Sequence, residues 1–304
     1  MYKTTALRVV VIAACLWNLS SAGEAATTQV DCSAASLQAA VNSAKPGDTL
    51  FVRGTCDEHV AINADVSGIT LDGQGKATIN GQDKANPTLL VRGKGITIKG
   101  FTISGGQRTI EVSQGGQAII DGNTIKGGAL AGIAVLFAST AAIVNNTIQD
   151  NDGFAGIGIS FNSVANIGVL SWLDETASPN VIRNNKGAGI LVARSSAAFI
   201  VGNSIGNNER QGVLVNRSSN AQIADNSIDG NARGGILIGR NSGVDLGQDR
   251  GKSIRNLPNK TSTKNGRFGI RCSRGGYVDG RLGTLNGTEG TKNFDEGCID
   301  SLKP

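Results

Sequence analysis

Short apolar runs separated by polar turn residues make up this chain, and between residues 189 and 246 they recur at one spacing. Ile190, Val213 and Ile236 stand 23 residues apart, each preceded by a glycine (Gly189, Gly212, Gly235). Arg194, Arg217 and Arg240 follow four residues later, Ser196, Ser219 and Ser242 six, and Ile200, Ile223 and Leu246 ten. A period in the twenties marks a stacked repeat. The same spacing puts strand starts at Ile110, Ile133, Ile157, Ile190, Val213, Ile236 and Ile270, in steps of 23, 24, 33, 23, 23 and 34 residues. The long steps read as ordinary coils with inserted loops. One insertion lies between Ile167 and Ile182; the others flank Ile254.

Within each run the apolar residues alternate, so a helical period of 3.6 fails and Ile190 and Val192 point inward while Leu191 points out. One unit holds three short strands, at 189–193, 198–201 and 204–205. Asparagines recur at the corner before the third strand (Asn123, Asn146, Asn203, Asn226) and again before the next first strand (Asn185, Asn208, Asn231, Asn265). Stacked amides of this kind can hydrogen-bond along a column. Glycines 132, 156, 189, 212, 235 and 269 precede the later first strands, which predicts a turn backbone that a Cβ would obstruct. Three strands per 23 residues, with like side chains stacked, describe an all-β, single-stranded parallel β-helix. Upstream, Leu37, Ala40, Val41 and Ala44 share one face of a short helix from Ser33 to Ala44, capped by Asp31 or Ser33, and Leu50 to Val52 is the first strand.

The GIxV…S…I..N.I..N pattern resembles the right-handed β-helix repeats of the pectin-lyase-like superfamily, including its NosD-type and carbohydrate-binding/sugar-hydrolase groups. The resemblance covers residues 49–283. It implies a right-handed coil, an N-terminal helical cap over 27–48 and a C-terminal cap or tail over 284–304. It also implies a substrate groove along the outward face of the first strands. It does not fix an activity, because this fold carries lyases, hydrolases, epimerases and non-catalytic binders.

Residues 1–26 have the form of a secretory signal: Lys3 and Arg8, an apolar run from Val9 to Trp17, then small residues. That run is too short to span a bilayer and no later stretch could. A secreted or periplasmic protein is expected. The Ile12-Ala13-Ala14-Cys15 sequence, which resembles a lipobox, offers a lipoprotein as the lesser alternative. Loss of the signal leaves Cys32, Cys56, Cys272 and Cys298, an even number that reads as disulfides with three possible pairings. The pairs at opposite ends favour Cys32–Cys56 and Cys272–Cys298.

Charge changes the picture on one face. In the exit column, four residues after each strand start, stand Phe137, Phe161, Arg194, Arg217, Arg240 and Arg274. The entry column, three residues before, reads Gly187, Arg210, Arg233 and Arg267, and Arg271 stands between the two columns. Guanidinium forks suit planar carboxylates, so these arginines are the candidate binding residues for an acidic polysaccharide. The competing explanation is duplication of one solvated arginine. Nucleic acid is not expected, since export opposes it and stacking aromatics are scarce. The paired carboxyl groups of a glycosidase are missing, as are the histidine and aspartate motifs of this fold's pectate lyases and alginate epimerases. No metal cluster or cofactor is expected, and calcium has no converging carboxylates on this face. A uronate lyase or epimerase needs only charge neutralisation and a base for the C5 proton. Lys264, Arg271 and Tyr277 are the catalytic candidates for that alternative, with Lys260 behind them. A structural surface protein is the second alternative. His59, Asp152 and Glu209 read as structural or solvated, and Trp172 in the loop 168–181 as surface packing.

Overall fold

The computed structural model describes residues 25–247 and 253–303. The expected export signal over 1–26, with Cys15, falls almost wholly on residues 1–24, outside the described residues. The inward branched residues of the first strands build the core: Ile110, Ile133, Ile157, Ile190, Val213, Ile236 and Ile270 are at most 1% exposed. They also set the register. Ile110 lies opposite Ile133, Ile133 opposite Ile157, Ile157 opposite Ile190, Ile190 opposite Val213, Val213 opposite Ile236 and Ile236 opposite Ile270, all in parallel. The steps of 33 and 34 residues leave this register intact because the extra residues loop out between strands. A one-residue slip would turn every core side chain to solvent. The first strands of successive coils make a ten-stranded sheet from Val60–Ile62 to Gly290–Phe294, and the other strands an eighteen-stranded sheet wrapped around the same core.

Three buried polar ladders hold the corners. Each asparagine from Asn123 through Asn146, Asn180, Asn203 and Asn226 donates its side-chain amide to the oxygen of the next, ending at Asn259, over 2.8–3.1 Å. A second ladder runs Asn151, Asn185, Asn208, Asn231, Asn265 at 2.8–2.9 Å. In the third, Ser163, Ser196, Ser219 and Ser242 each accept from the backbone N–H of the serine one coil earlier. Asn259 and Asn151 escape a strict 23-residue search because a long step separates each from its ladder neighbour, whereas Asn180 stands 23 residues before Asn203 and 34 after Asn146.

The repeated glycines act differently from the expected turn. They lie within or at the start of the strand, without positive φ. A Cβ on Gly189 would meet the Gly212 carbonyl oxygen and Ile205 Cγ2 at 2.7 Å, and one on Gly212 would meet Ile228 Cγ2 at 2.7 Å. The requirement is close approach between coils.

At the N-terminus the helix is shorter than its apolar face suggested, Leu37–Ser43, with Ser36 as its cap. Asp31 and Ser33 do not cap it. Asp31 instead accepts from Ser33 in a tight turn, while the Glu58 carboxylate takes the Leu37 and Gln38 N–H groups. A strand at Thr27–Asp31 precedes the helix and pairs with Thr49–Arg53. The Cys32–Cys56 disulfide ties this cap to the first coil. At the far end, Gly290–Phe294 and Ile299–Lys303 pair in parallel with Phe268–Ser273 and Tyr277–Arg281. The expected cap or tail over 284–304 adds another coil, and Cys272–Cys298 closes it.

Candidate functional site

The outward face of the ten-stranded sheet carries a column in strict register: Ala134, Gly158, Leu191, Leu214, Leu237 and Arg271. The floor is small or aliphatic from Ala134 to Leu237, between two flanking turns, and ends in Arg271 on one side and in Glu111, paired with Arg108 at 2.9 Å, on the other. The exit turn has an unusual backbone. Phe137, Phe161, Arg194, Arg217, Arg240 and Arg274 all have φ between 54° and 60°. Ala138, Asn162, Ser195, Ser218 and Asn241, the next residues, also lie between 56° and 60°. Non-glycine residues in this region cost roughly 1–2 kcal/mol each. Bonds between coils hold them there: Ser195 N–H donates to the Arg217 carbonyl at 3.1 Å, Ser218 N–H to Arg240 at 3.0 Å and Asn241 N–H to Arg274 at 3.1 Å.

The exit column is a continuous stack at one end. The Phe137 and Phe161 rings lie 4.7 Å apart and 18° from parallel, and the Arg194 guanidinium sits 4.5 Å above the Phe161 ring. Stacking restrains the guanidinium plane and leaves its N–H edge available to a planar anion. The entry column contributes Phe154, Arg210, Arg233 and Arg267. Phe154 was missed in the sequence because its coil precedes the arginines, although it occupies their register position. Between the columns lies a cleft of about 480 Å³ whose rim carries Phe154, Phe161, Arg194, Arg210 and Arg217. A second pocket of about 360 Å³ follows it along the axis, bordered by Arg233, Arg267 and Arg271.

The arginines are not equivalent. Arg267 pairs with Glu289 at 3.3 Å and Arg271 approaches Asp295 at 4.0 Å. Both acids come from the tail, which reaches this face only because it forms another coil. Arg194, Arg210, Arg217, Arg233, Arg240 and Arg274 have no carboxylate within 4.0 Å among the described residues. Asp152, near the groove, is engaged by Lys186 at 2.8 Å. The Lys186 hydrogen bond and charge hold its carboxyl below the ordinary range, and the Asp152 hydrogen bond raises the Lys186 amine, with the Glu209 charge adding to it.

Of the catalytic candidates, Arg271 alone lines the groove. Lys264 is an exposed residue of the turn before Phe268–Ser273. Tyr277 belongs to the eighteen-stranded sheet and donates its hydroxyl to Asp279 at 3.2 Å. Lys260 faces Asp225 at 3.5 Å. His59 is held in the first coils by the Pro87 carbonyl at 2.7 Å and Asp83 at 3.1 Å. Trp172, 63% exposed, meets Arg255 of the other inserted region by stacking and by a backbone hydrogen bond. The metal-type side chains that converge among the described residues, Cys32, Cys56 and Glu58, are already spent on the disulfide and the helix cap. No described helix is long and apolar enough to cross a membrane.

Comparison with solved structures gives the periplasmic alginate epimerase AlgG at a TM-score of 0.56 and 14% identity, over 91% of this chain and 75% of that one. A point mutant of the same epimerase gives 0.52, with the same identity and coverage. An alginate lyase from Paenibacillus sp. gives 0.45 at 15% identity, over 91% and 99%. At these identities the likeness is one of fold. No curated protein matches the sequence. The family model for the right handed beta helix region matches residues 52–171 and 174–277, most of the coiled body. The chain therefore belongs to the right-handed β-helix family.

Proposed function

We propose that this protein is exported and binds an acidic polysaccharide along the arginine-bordered face of its ten-stranded sheet. One observation carries the reading: six arginines flank the small and aliphatic stretch of the floor, with no carboxylate within 4.0 Å of them among the described residues. Neighbouring coils are about 4.8 Å apart, and guanidinium groups at that spacing repel by roughly 1 kcal/mol in water. A polymer with regularly spaced carboxylates relieves that repulsion and uses the forks bidentately. The fold-level likeness to an alginate epimerase supports a polysaccharide partner, and two disulfides suit an oxidising compartment.

Binding is favoured over C5 proton abstraction by the candidates for the base. The Arg271 guanidinium offers donors and no acceptor atom, Tyr277 belongs to the other sheet, and Lys264 is outside the cleft lining. The test is a screen over alginate, polygalacturonate and glycosaminoglycans, with affinity measured at two salt concentrations and absorbance followed for unsaturated uronate. Salt-sensitive binding without turnover is expected. New absorbance would replace this reading with the lyase. Absence of binding to every polymer would leave a structural surface protein.

A further inference from the structure

The groove is not a uniform cationic strip. Beyond Arg194 the floor loses its bulk: leucine at 191, 214 and 237 gives way to Gly158 and Ala134. Here both walls are aromatic. Phe154 leans over Gly158 from the entry side, so that a Cβ built on Gly158 would lie 3.6 Å from Phe154 Cε2 and touch nothing closer. Phe137 and Phe161 stand on the exit side, 49% and 38% exposed, and Phe154 is 41% exposed. The notch ends at Arg194, whose guanidinium is already stacked on Phe161.

This combination rejects some anions and suits others. A polyphosphate brings charge but no apolar face, and filling the notch would desolvate its anionic groups beside three rings. A pyranuronate unit has both parts. Its ring C–H hydrogens are partly positive and suit the negative face of an aromatic ring. Its carboxylate is planar and suits a pre-set guanidinium fork. Resting on the polysaccharide reading above, we propose that the Phe154–Gly158–Phe161 notch is a sugar-ring subsite. The uronate ring sits over Gly158 against Phe154, and its carboxylate meets Arg194 and Arg217. The notch makes the groove selective for polyuronates over other polyanions.

The substitution Gly158→Leu tests this directly. It fills the notch with the residue that the same column carries in the next three coils, so the sheet has a place for it. Phe154→Ala removes the ring instead. Wild type and both variants, checked for unchanged melting, are titrated with the polyuronate that binds wild type best and with inorganic polyphosphate of matched charge. Wild type should prefer the polyuronate, and each variant should lose about tenfold or more for it while binding polyphosphate as wild type does. Equal loss for both ligands, or unchanged polyuronate binding in both folded variants, overturns the subsite and leaves the arginine reading standing. Failure of wild type to bind either polymer overturns the arginine reading itself, and the subsite with it.

Discussion

Replacing Asn203 should test whether the buried asparagine ladder is a principal support of the coil. Its side-chain N–H groups serve the Ile167 carbonyl at 2.8 Å, the Val201 carbonyl at 3.0 Å and Asn226 Oδ1 at 3.0 Å. Its Oδ1 accepts from Asn180 twice, from the backbone N–H at 3.1 Å and from the side-chain amide at 2.8 Å. Alanine at 203 removes all of these. Some partners keep a second bond: the Asn180 amide retains the Ile143 carbonyl, and Asn226 Oδ1 retains the Asn203 backbone N–H. The Asn180 backbone N–H loses this acceptor and the Ile167 carbonyl this donor. Each orphaned buried group costs about 1–3 kcal/mol, so Asn203→Ala should lose about 3 kcal/mol or more. Asn220→Ala, at an exposed strand start, should stay within about 0.5 kcal/mol of wild type. Asn203→Asp adds a diagnostic. It keeps the acceptor but aims a carboxylate at three oxygens, which raises its folded pKa. An acid with a raised folded pKa is destabilising above its unfolded pKa and regains stability as pH falls. The assay is urea unfolding with the disulfides intact, comparing midpoints at unchanged slope. Asn203→Ala matching Asn220→Ala, or no relative acid recovery in Asn203→Asp, would refute this account of the ladder.

Changing Arg194, Arg217 and Arg240 together to Gln should abolish binding of a polyanion that wild type holds in a salt-sensitive way; unchanged affinity in a titration would mark the ladder as a by-product of duplication. Gly189→Ala should destabilise the chain by about 1–3 kcal/mol, since overpacking forces coils apart; a melt unchanged from wild type would contradict the contact with Gly212. Cys298→Ser should free the last coil for amide exchange and lower stability by about 3 kcal/mol, measured by exchange over residues 290–303. Asp48 accepts from the Lys45 and Ala26 N–H groups at 2.8 Å, and these bonds hold its carboxyl below its ordinary value of 3.8. Its contribution is present above the unfolded pKa and vanishes as pH falls through the folded one. Acid should therefore loosen the Thr27–Asp31 strand less in Asp48→Asn than in wild type, the remainder coming from Asp31 and its pair with Arg53, as followed by amide exchange.

Period and register were legible in the sequence because one residue type at one spacing does one job in every coil. The branched column that begins at Ile110 names its own neighbours, and the register follows without side-chain detail. What stayed hidden lay where the spacing breaks or where chemistry depends on the turn. Asn259 rejoins its ladder only after an inserted loop is removed, and so does the link from Asn146 to Asn180. Glu289 and Asp295 reach Arg267 and Arg271 because the tail coils once more, and its strands lack the branched inward pattern of the body. The glycines were visible as a column, but their cause was close approach between coils. The exit column shows the same limit from the other side. Its arginines could be counted in the sequence, yet their left-handed backbone could not be read there. Asparagine or glycine would adopt that backbone at lower cost, and Gly275 and Asn241 do so one position later. At the position itself stand Phe137, Phe161 and four arginines, none of them a residue that the turn prefers. Backbone preference therefore does not explain the column. Stacking accounts for Phe137, Phe161 and Arg194. Among the described residues, Arg217, Arg240 and Arg274 have neither a carboxylate within 4.0 Å nor an aromatic ring stacked on them, so the triple Gln variant decides between a bound polyanion and duplication of one solvated arginine.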